Sequence, residues 1–174
     1  GEVIESNSRM MAAYLSQDNL DATIFPPCRD EKVLLEKAVS EALAACDVLF
    51  ILSGSSAGAK DFSRHTLETL GEVLVHGIAM MPGKPALFAL VSGKAVFGIP
   101  GYPTSAALYY EEVIRPFFRH LAGKNSVPVE SVEAELARKV PSKLGLEEFI
   151  RVRLGKVGSR WVAVPLARGA GVLK

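Results

Sequence analysis

Three stretches of this chain combine small, hydroxyl-bearing, charged and ring-constrained residues in patterns that suit anion binding. The first is Ser53-Gly54-Ser55-Ser56-Ala57-Gly58-Ala59-Lys60-Asp61, between a continuous apolar run and a helical pattern. Small residues at the carboxyl end of a buried strand let backbone N–H groups and hydroxyls approach a phosphate, and Asp61 could hold a hydrated Mg2+ through oxygen. A tight turn with surface serines and a helix-capping aspartate reads the same residues without chemistry. The second is Met81-Pro82-Gly83-Lys84-Pro85, where two prolines stiffen the backbone around one lysine. Such rigidity suits a cation aimed at a fixed anion, and it equally suits a stiff connection into a strand. The third is Gly98-Ile99-Pro100-Gly101-Tyr102-Pro103-Thr104-Ser105, running from a strand end into a helix N-terminus, where free N–H groups and the helix dipole favour an anion. A proline-stiffened turn with Thr/Ser capping is its plain alternative. None of the three is a Walker loop or carries G-x-G-x-x-G spacing.

The elements that must position these loops follow from periodicity. Glu5-Ser6-Asn7-Ser8 offers capping side chains ahead of a helix beginning near Met10. Residues 22–25 read as a short strand ended by Pro26-Pro27. Leu35, Ala38, Val39, Ala42, Leu43 and Cys46 recur at helical spacing, opposite Glu36, Lys37, Ser40 and Glu41. Residues 48–52 form a buried-strand run, and a helix is predicted from about Phe62 to Leu70, stopped at Gly71. Residues 86–91 and 94–99 are strand-like and joined at Ser92-Gly93 as a hairpin. A helix capped by Thr104-Ser105 should run from about Ala106 toward Leu121, kinked or divided at Pro116. Beyond Gly123-Lys124-Asn125-Ser126 the period changes: Val132, Ala134 and Leu136, then Ile150, Val152 and Leu154, alternate with other residues as strands do, and Val162 and Val164 continue the pattern.

Composition narrows the classes. Lys+Arg 20 against Asp+Glu 19 gives a net charge of +1, so no global field selects nucleic acid or an anionic membrane. No apolar run approaches the ~20 residues that span a bilayer. Cys28 and Cys46 make no disulfide framework and read as small buried thiols, and with no signal peptide the expected location is the cytoplasm. His65, His76 and His120 show no metal-ligand spacing.

Taken in order, Glu5-Ser6-Asn7, the 53–61 loop, His76-Gly77-Ile78-Ala79-Met80-Met81-Pro82-Gly83-Lys84-Pro85 and the 98–106 segment resemble the MoeA/gephyrin-E family, whose members insert molybdenum into molybdopterin. Arg151 extends the resemblance into the later residues. It implies an α/β fold: a three-layer MogA-like domain with a mostly parallel sheet over residues 1–123, then a partial β-barrel domain over 124–174. It implies adenylylated molybdopterin as substrate, molybdate as metal donor, Mg2+ as cofactor, a MogA-type adenylyltransferase as a possible partner and a homodimer at full length, with no nucleic acid and no membrane. Carried over by position, Asp61, Asp30, Lys84 and Glu5 are the catalytic candidates, with Asp61 the metal ligand. Asn7, Ser53, Gly54, Ser55, Ser56, Gly58, Pro82, Gly83, Pro100, Gly101, Pro103, Thr104, Ser105 and Arg151 are the substrate-binding ones.

The sequence also departs from the family pattern. Many members carry lysine at the positions of Gly77 and Met81, Ser53-Gly54-Ser55 is one glycine short of the usual pair, and Tyr102 stands where Asn is frequent. Two cations that could attract molybdate are thus replaced. The family's Thr-Gly-Asp strand and two N-terminal domains precede the segment that starts here at Gly1, and its β domain continues past Lys174. The chain is therefore expected to be a fragment of the transferase, inactive in isolation. The alternative expectation is a module that binds molybdopterin or a partner without transferring metal.

Overall fold

The computed structural model describes residues 5–52, 62–124 and 130–166. Helix α1 (Asn7–Gln17) is followed by α2 (Lys32–Ala45), β1 (Val48–Leu52), α3 (Phe62–Leu70), β2 (Glu72–His76), β3 (Met80–Met81), β4 (Leu87–Val91) and β5 (Lys94–Ile99). A long helix comes next: α4 (Pro103–Tyr109), a π-helical turn over Tyr110–Ile114, and α5 (Arg115–Leu121). Strands β6 (Glu135–Leu136), β7 (Glu147–Glu148), β8 (Val152–Val157) and β9 (Arg160–Pro165) complete the described chain.

The main sheet has the order β1-β5-β4-β2. Only β1 and β5 run parallel; β5–β4 and β4–β2 are antiparallel, so the described sheet is mixed rather than mostly parallel. The reason is local. Ser92 at φ 51° and Gly93 at φ 76° make the tight turn expected between β4 and β5, and a hairpin enforces antiparallel pairing. Only the β1-to-β5 connection is long enough for a crossover. Strand β2 lies across from β4 with a register shift between Val73 and Val75.

Helices cover both faces of this sheet, and the period-two alternation of strands decides which side chain meets which layer. Phe97 and Ile99 of β5 join Met11, Tyr109, Tyr110 and Ile114 on one face, while Val96 joins Leu87, Ala89, Val39, Leu43 and Leu67 on the other. Strands buried on both sides must be apolar at every position, which is why 48–52 and 95–97 read as unbroken runs. The α2 layer is anchored by Lys94, whose ammonium donates to the carbonyls of Leu43 at 2.6 Å and Cys46 at 2.9 Å, capping the helix C-terminus with a cation. Replacing Lys94 with methionine strands both carbonyls and is expected to lower stability by about 1–3 kcal/mol. Urea unfolding would measure it, and an unchanged midpoint would show the cap to be idle.

Some expected elements differ. Residues 22–25 form no strand: nothing pairs with them among the described residues, and Ile24 and Phe25 are exposed. Cys28, in the same uncovered segment, is exposed rather than buried. Cys46 is half-buried; burial pushes its thiol up, and Lys94 does not cancel burial and the Asp47 carboxylate combined. The long helix starts at Pro103 with Tyr102 at its cap position and no side-chain cap, since a proline in the first turn has no N–H to satisfy and a φ already suited to the helix. The division expected at Pro116 takes the form of a π-helical turn over Tyr110–Ile114, after which α5 begins at Arg115 with Pro116 in its first turn, where the missing donor is accommodated. After residue 124, β8 and β9 form a hairpin and β6 adds in parallel to β9. Among the described residues no helix is long and apolar enough to cross a membrane.

Candidate functional site

The loop from β5 into α4 is built on covered residues. Pro100 and Ser105 are buried, and Gly101, Pro103 and Thr104 are half-buried. Ala106 closes the first helical turn by donating to the Tyr102 carbonyl at 2.9 Å. Because α4, the π-helical turn and α5 are continuous, the positive end of one long macrodipole faces this loop. Asn7, buried in the first turn of α1, reaches across with its side-chain amide and donates to the Gly101 carbonyl at 2.8 Å. Two stretches 94 residues apart in sequence are thereby joined.

The segment before Asn7 serves the helix. The Glu5 carboxylate accepts from the Ser8 backbone N–H at 2.8 Å and from the Ser8 hydroxyl at 2.5 Å, while Ser6, at the cap position, makes no side-chain cap bond. What burial there is raises the Glu5 carboxyl, but the bonds from Ser8 and Asn7 and the charge of Arg9 outweigh it, so its proton affinity is lowered. An anion over the helix N-terminus is favourable on dipole grounds as well.

The 77–86 loop is a tight ring. Gly77 N–H donates to Ala86 O at 2.8 Å, Ile78 N–H to Lys84 O at 3.0 Å, and Ala86 N–H to Gly83 O at 3.1 Å. The Met81-Pro82 peptide is cis, and Gly83 is buried at φ 127° against Met80, a conformation that disfavours any side chain. Strand β7 pins the ring from outside: Glu147 N–H donates to Ala79 O at 2.7 Å and Phe149 N–H to Met81 O at 2.8 Å. Lys84 is exposed on this ring, and Pro82 is half-buried. Gly77 at φ 82° occupies backbone space that a lysine would adopt only with strain, so the departure there has a conformational counterpart. Next to it in sequence, His76 has a ring nitrogen 3.2 Å from Arg64, which donates to Glu68 at 2.7 Å.

Asp30 is exposed in the bend before α2. Arg151 is half-buried, and its carbonyl accepts from Leu166 N–H at 3.0 Å. Ser53, Gly54, Ser55, Ser56, Gly58 and Asp61 lie outside the described residues. Among the described residues no group of three or more metal-ligating side chains occurs, and Asp61, the expected Mg2+ ligand, lies outside them; the Glu5 carboxylate is engaged by Ser8. The polar cluster that sequence reasoning missed joins Asp18, Tyr110 and Arg115. Its one advance signal was Pro116, which marks the place where a regular helix cannot continue unchanged.

The fold is a mixed α/β sheet covered on both faces, with a glycine-proline loop feeding a long helix at a strand end, a position at which α/β proteins commonly receive ligands. The sequence profile described as "Probable molybdopterin binding domain" matches residues 1–120. A Methanocaldococcus jannaschii relative named for molybdopterin biosynthesis is 34% identical over 154 residues, covering 88% of this chain and 37% of its own length. The molybdopterin molybdenumtransferase of Staphylococcus aureus strain COL is 26% identical over 166 residues, covering 95% of this chain and 40% of its own. Among solved structures, the molybdopterin biosynthesis MoeA protein from Pyrococcus horikosii superposes with a TM-score of 0.79 at 31% identity, over 98% of this chain and 40% of that one. The chain belongs to the molybdopterin-binding domain family, and within it to the MoeA group of molybdopterin biosynthesis proteins. It spans about two fifths of the length of these relatives.

Proposed function

We propose that this chain is the pterin-phosphate-holding part of a molybdopterin molybdotransferase. The observation that carries the reading is the Asn7-to-Gly101 bond, which draws the Glu5-Ser6-Asn7 and 98–105 stretches into one place at the N-terminus of a long helix. There Gly101, Thr104 and Ser105 would receive the phosphate, with Pro100 and Pro103 stiffening the loop, and the 53–56 residues would meet the ligand from the β1 side. Lys84, on a ring whose backbone is fixed by five hydrogen bonds, would offer a cation in a set position. Catalysis of this kind rests on positioning and electrostatics rather than on a nucleophile. The substrate in this reading is adenylylated molybdopterin, with molybdate as donor and a MogA-type adenylyltransferase as supplier. Residues 1–123 form a MogA-like domain, residues 124–174 part of a β domain, and the whole enzyme is a cytoplasmic homodimer.

Titration with molybdopterin tests the reading. Binding is expected for the wild type and is expected to weaken about tenfold in Asn7→Ala, the cost of losing the part-buried hydrogen bond that holds the loop. A wild type that binds nothing would refute the assignment.

Gly77 and Met81 favour a second reading, a module that binds the pterin without transferring metal, because neither position carries a cation. Binding of adenylylated molybdopterin with no molybdate-dependent turnover by the full-length protein would support it over the first.

A further inference from the structure

Helix α1 is fastened at both ends to the same long helix. At its start Asn7 donates to Gly101, just before α4; at its end Asp18 accepts from the Tyr110 hydroxyl at 2.7 Å and from Arg115 Nε at 2.7 Å. Between these ties Tyr14 stacks on Tyr110, ring centroids 4.8 Å apart and planes 17° from parallel. The Arg115 guanidinium lies over both rings, 5.8 Å and 5.2 Å from their centroids, and Glu111 also accepts from it. Asn7 to Asp18 spans about 16 Å at the rise of an α-helix, comparable to the distance from Pro103 to the Tyr110–Arg115 segment. The two helices thus run side by side in the same direction, joined at matched points.

The π-helical turn makes this possible. Tyr110 and Arg115 are five residues apart, and in an α-helix residues five apart point about 140° away from each other. Here Arg115 N–H donates to Tyr110 O, the five-residue bond of a π turn, which stacks the two side chains on the face toward α1. Without that turn Asp18 could engage one of them but not both.

We propose that Asp18, Tyr110 and Arg115 are positioning residues for the 98–105 loop: they fix the rotation and axial placement of α1, and so hold the Asn7 amide where it grips Gly101. This rests on reading that loop as the pterin-phosphate site. The influence of Asp18 and Arg115 on the loop runs through the rigid rod of α1.

The test uses the intact chain with two mild variants. Tyr110→Phe removes one hydroxyl and keeps the ring stack; Asp18→Asn keeps the shape and removes the charge. The readouts are the side-chain amide resonances of Asn7 in a 15N–1H spectrum and the dissociation constant for molybdopterin. Both variants are expected to stay folded, to move the Asn7 amide signals toward those of a solvent-exposed amide, and to weaken binding about 3- to 10-fold. Lys94→Met, a stability lesion on the opposite face of the sheet, is expected to leave both readouts unchanged. Unmoved Asn7 signals in both clamp variants would overturn the proposal, as would an equal movement in Lys94→Met, which would reduce the clamp to general stability. If the wild type binds no molybdopterin, the site reading falls, while the Asn7 signals still decide whether the brace exists.

Discussion

Replacing Phe97 with alanine is expected to lower the free energy of unfolding by about 3–5 kcal/mol. Phe97 is 2% exposed and touches an aromatic ring from each of four neighbouring elements. Its centroid lies 5.8 Å from Phe50 of β1, 4.9 Å from Phe88 of β4, 6.3 Å from Tyr109 of α4 and 5.1 Å from Phe117 of α5, mostly edge to face. Such pairs add to the burial of the ring itself. The site has little freedom to collapse, because these neighbours sit on a sheet and helices fastened elsewhere. It also borders an apolar cleft of about 210 Å3, lined by Val75, Ile78, Phe88, Tyr109, Val113 and Phe117 as well as Phe97, into which the vacated space would open. Phe97→Leu keeps most of the volume and should cost less than half as much. Urea unfolding measures both, and a loss below about 1 kcal/mol for the alanine variant would mean that the rings repack around the gap.

The second large effect is expected at Arg115 and is pH-dependent. Arg115→Ala removes charge-assisted bonds to Asp18 and Glu111 and leaves the Asp18 carboxylate with the Tyr110 hydroxyl alone; a loss of about 2–3 kcal/mol is expected near neutral pH. Partial burial raises the Asp18 carboxyl, but the bonds from Arg115 and Tyr110 and the charges of Arg115 and Arg119 outweigh it, so its folded proton affinity falls below the ordinary value of 3.8. A carboxyl depressed on folding contributes stability above its unfolded value and loses it as pH falls through the folded one. The stability gap between wild type and Asp18→Asn should therefore be constant above about pH 5 and narrow as the solution is acidified below about pH 4. Glu111 accepts from the same guanidinium, so the comparison belongs in an Asp18 variant rather than in wild type alone. A gap that persists unchanged to pH 2 would show that the Asp18 charge contributes nothing to the clamp.

The sequence made some of these features readable and concealed others for physical reasons. Helix α2, strand β1, the stop of α3 before Gly71 and the Ser92-Gly93 turn carry local chemistry, so periodicity and turn residues were enough to place them. Strand β2 carries none: Val73, Leu74 and Val75 are consecutive apolar residues, the register shift breaks any alternation, and only pairing with β4 makes them a strand. Residues 22–25, which look like a strand, have no such pairing among the described residues and are not one. The mostly parallel sheet is what the family resemblance implies, although the hairpin at Ser92-Gly93 already implies an antiparallel pair. In the candidate site, the order of loops identified the family, but the meeting of Asn7 with Gly101 and of Asp18 with Arg115 depends on tertiary contacts that spacing cannot encode. Pro116 pointed to an irregular helix without showing that the irregularity would align Tyr110 with Arg115.

The small parallel pair β3–β7 has a consequence for how the chain can be divided. A cut at Gly123, where the residue pattern changes, looks like a clean joint, yet the carbonyls of Ala79 and Met81 would lose the N–H groups of Glu147 and Phe149. The ring that presents Lys84 would then have an unsatisfied outer edge. Two halves made separately would each display complementary main-chain groups, and the natural outcome of mixing them is reassociation by strand addition. The seam is thus a splice rather than a hinge, with the later segment contributing part of the mould in which the earlier loop is cast.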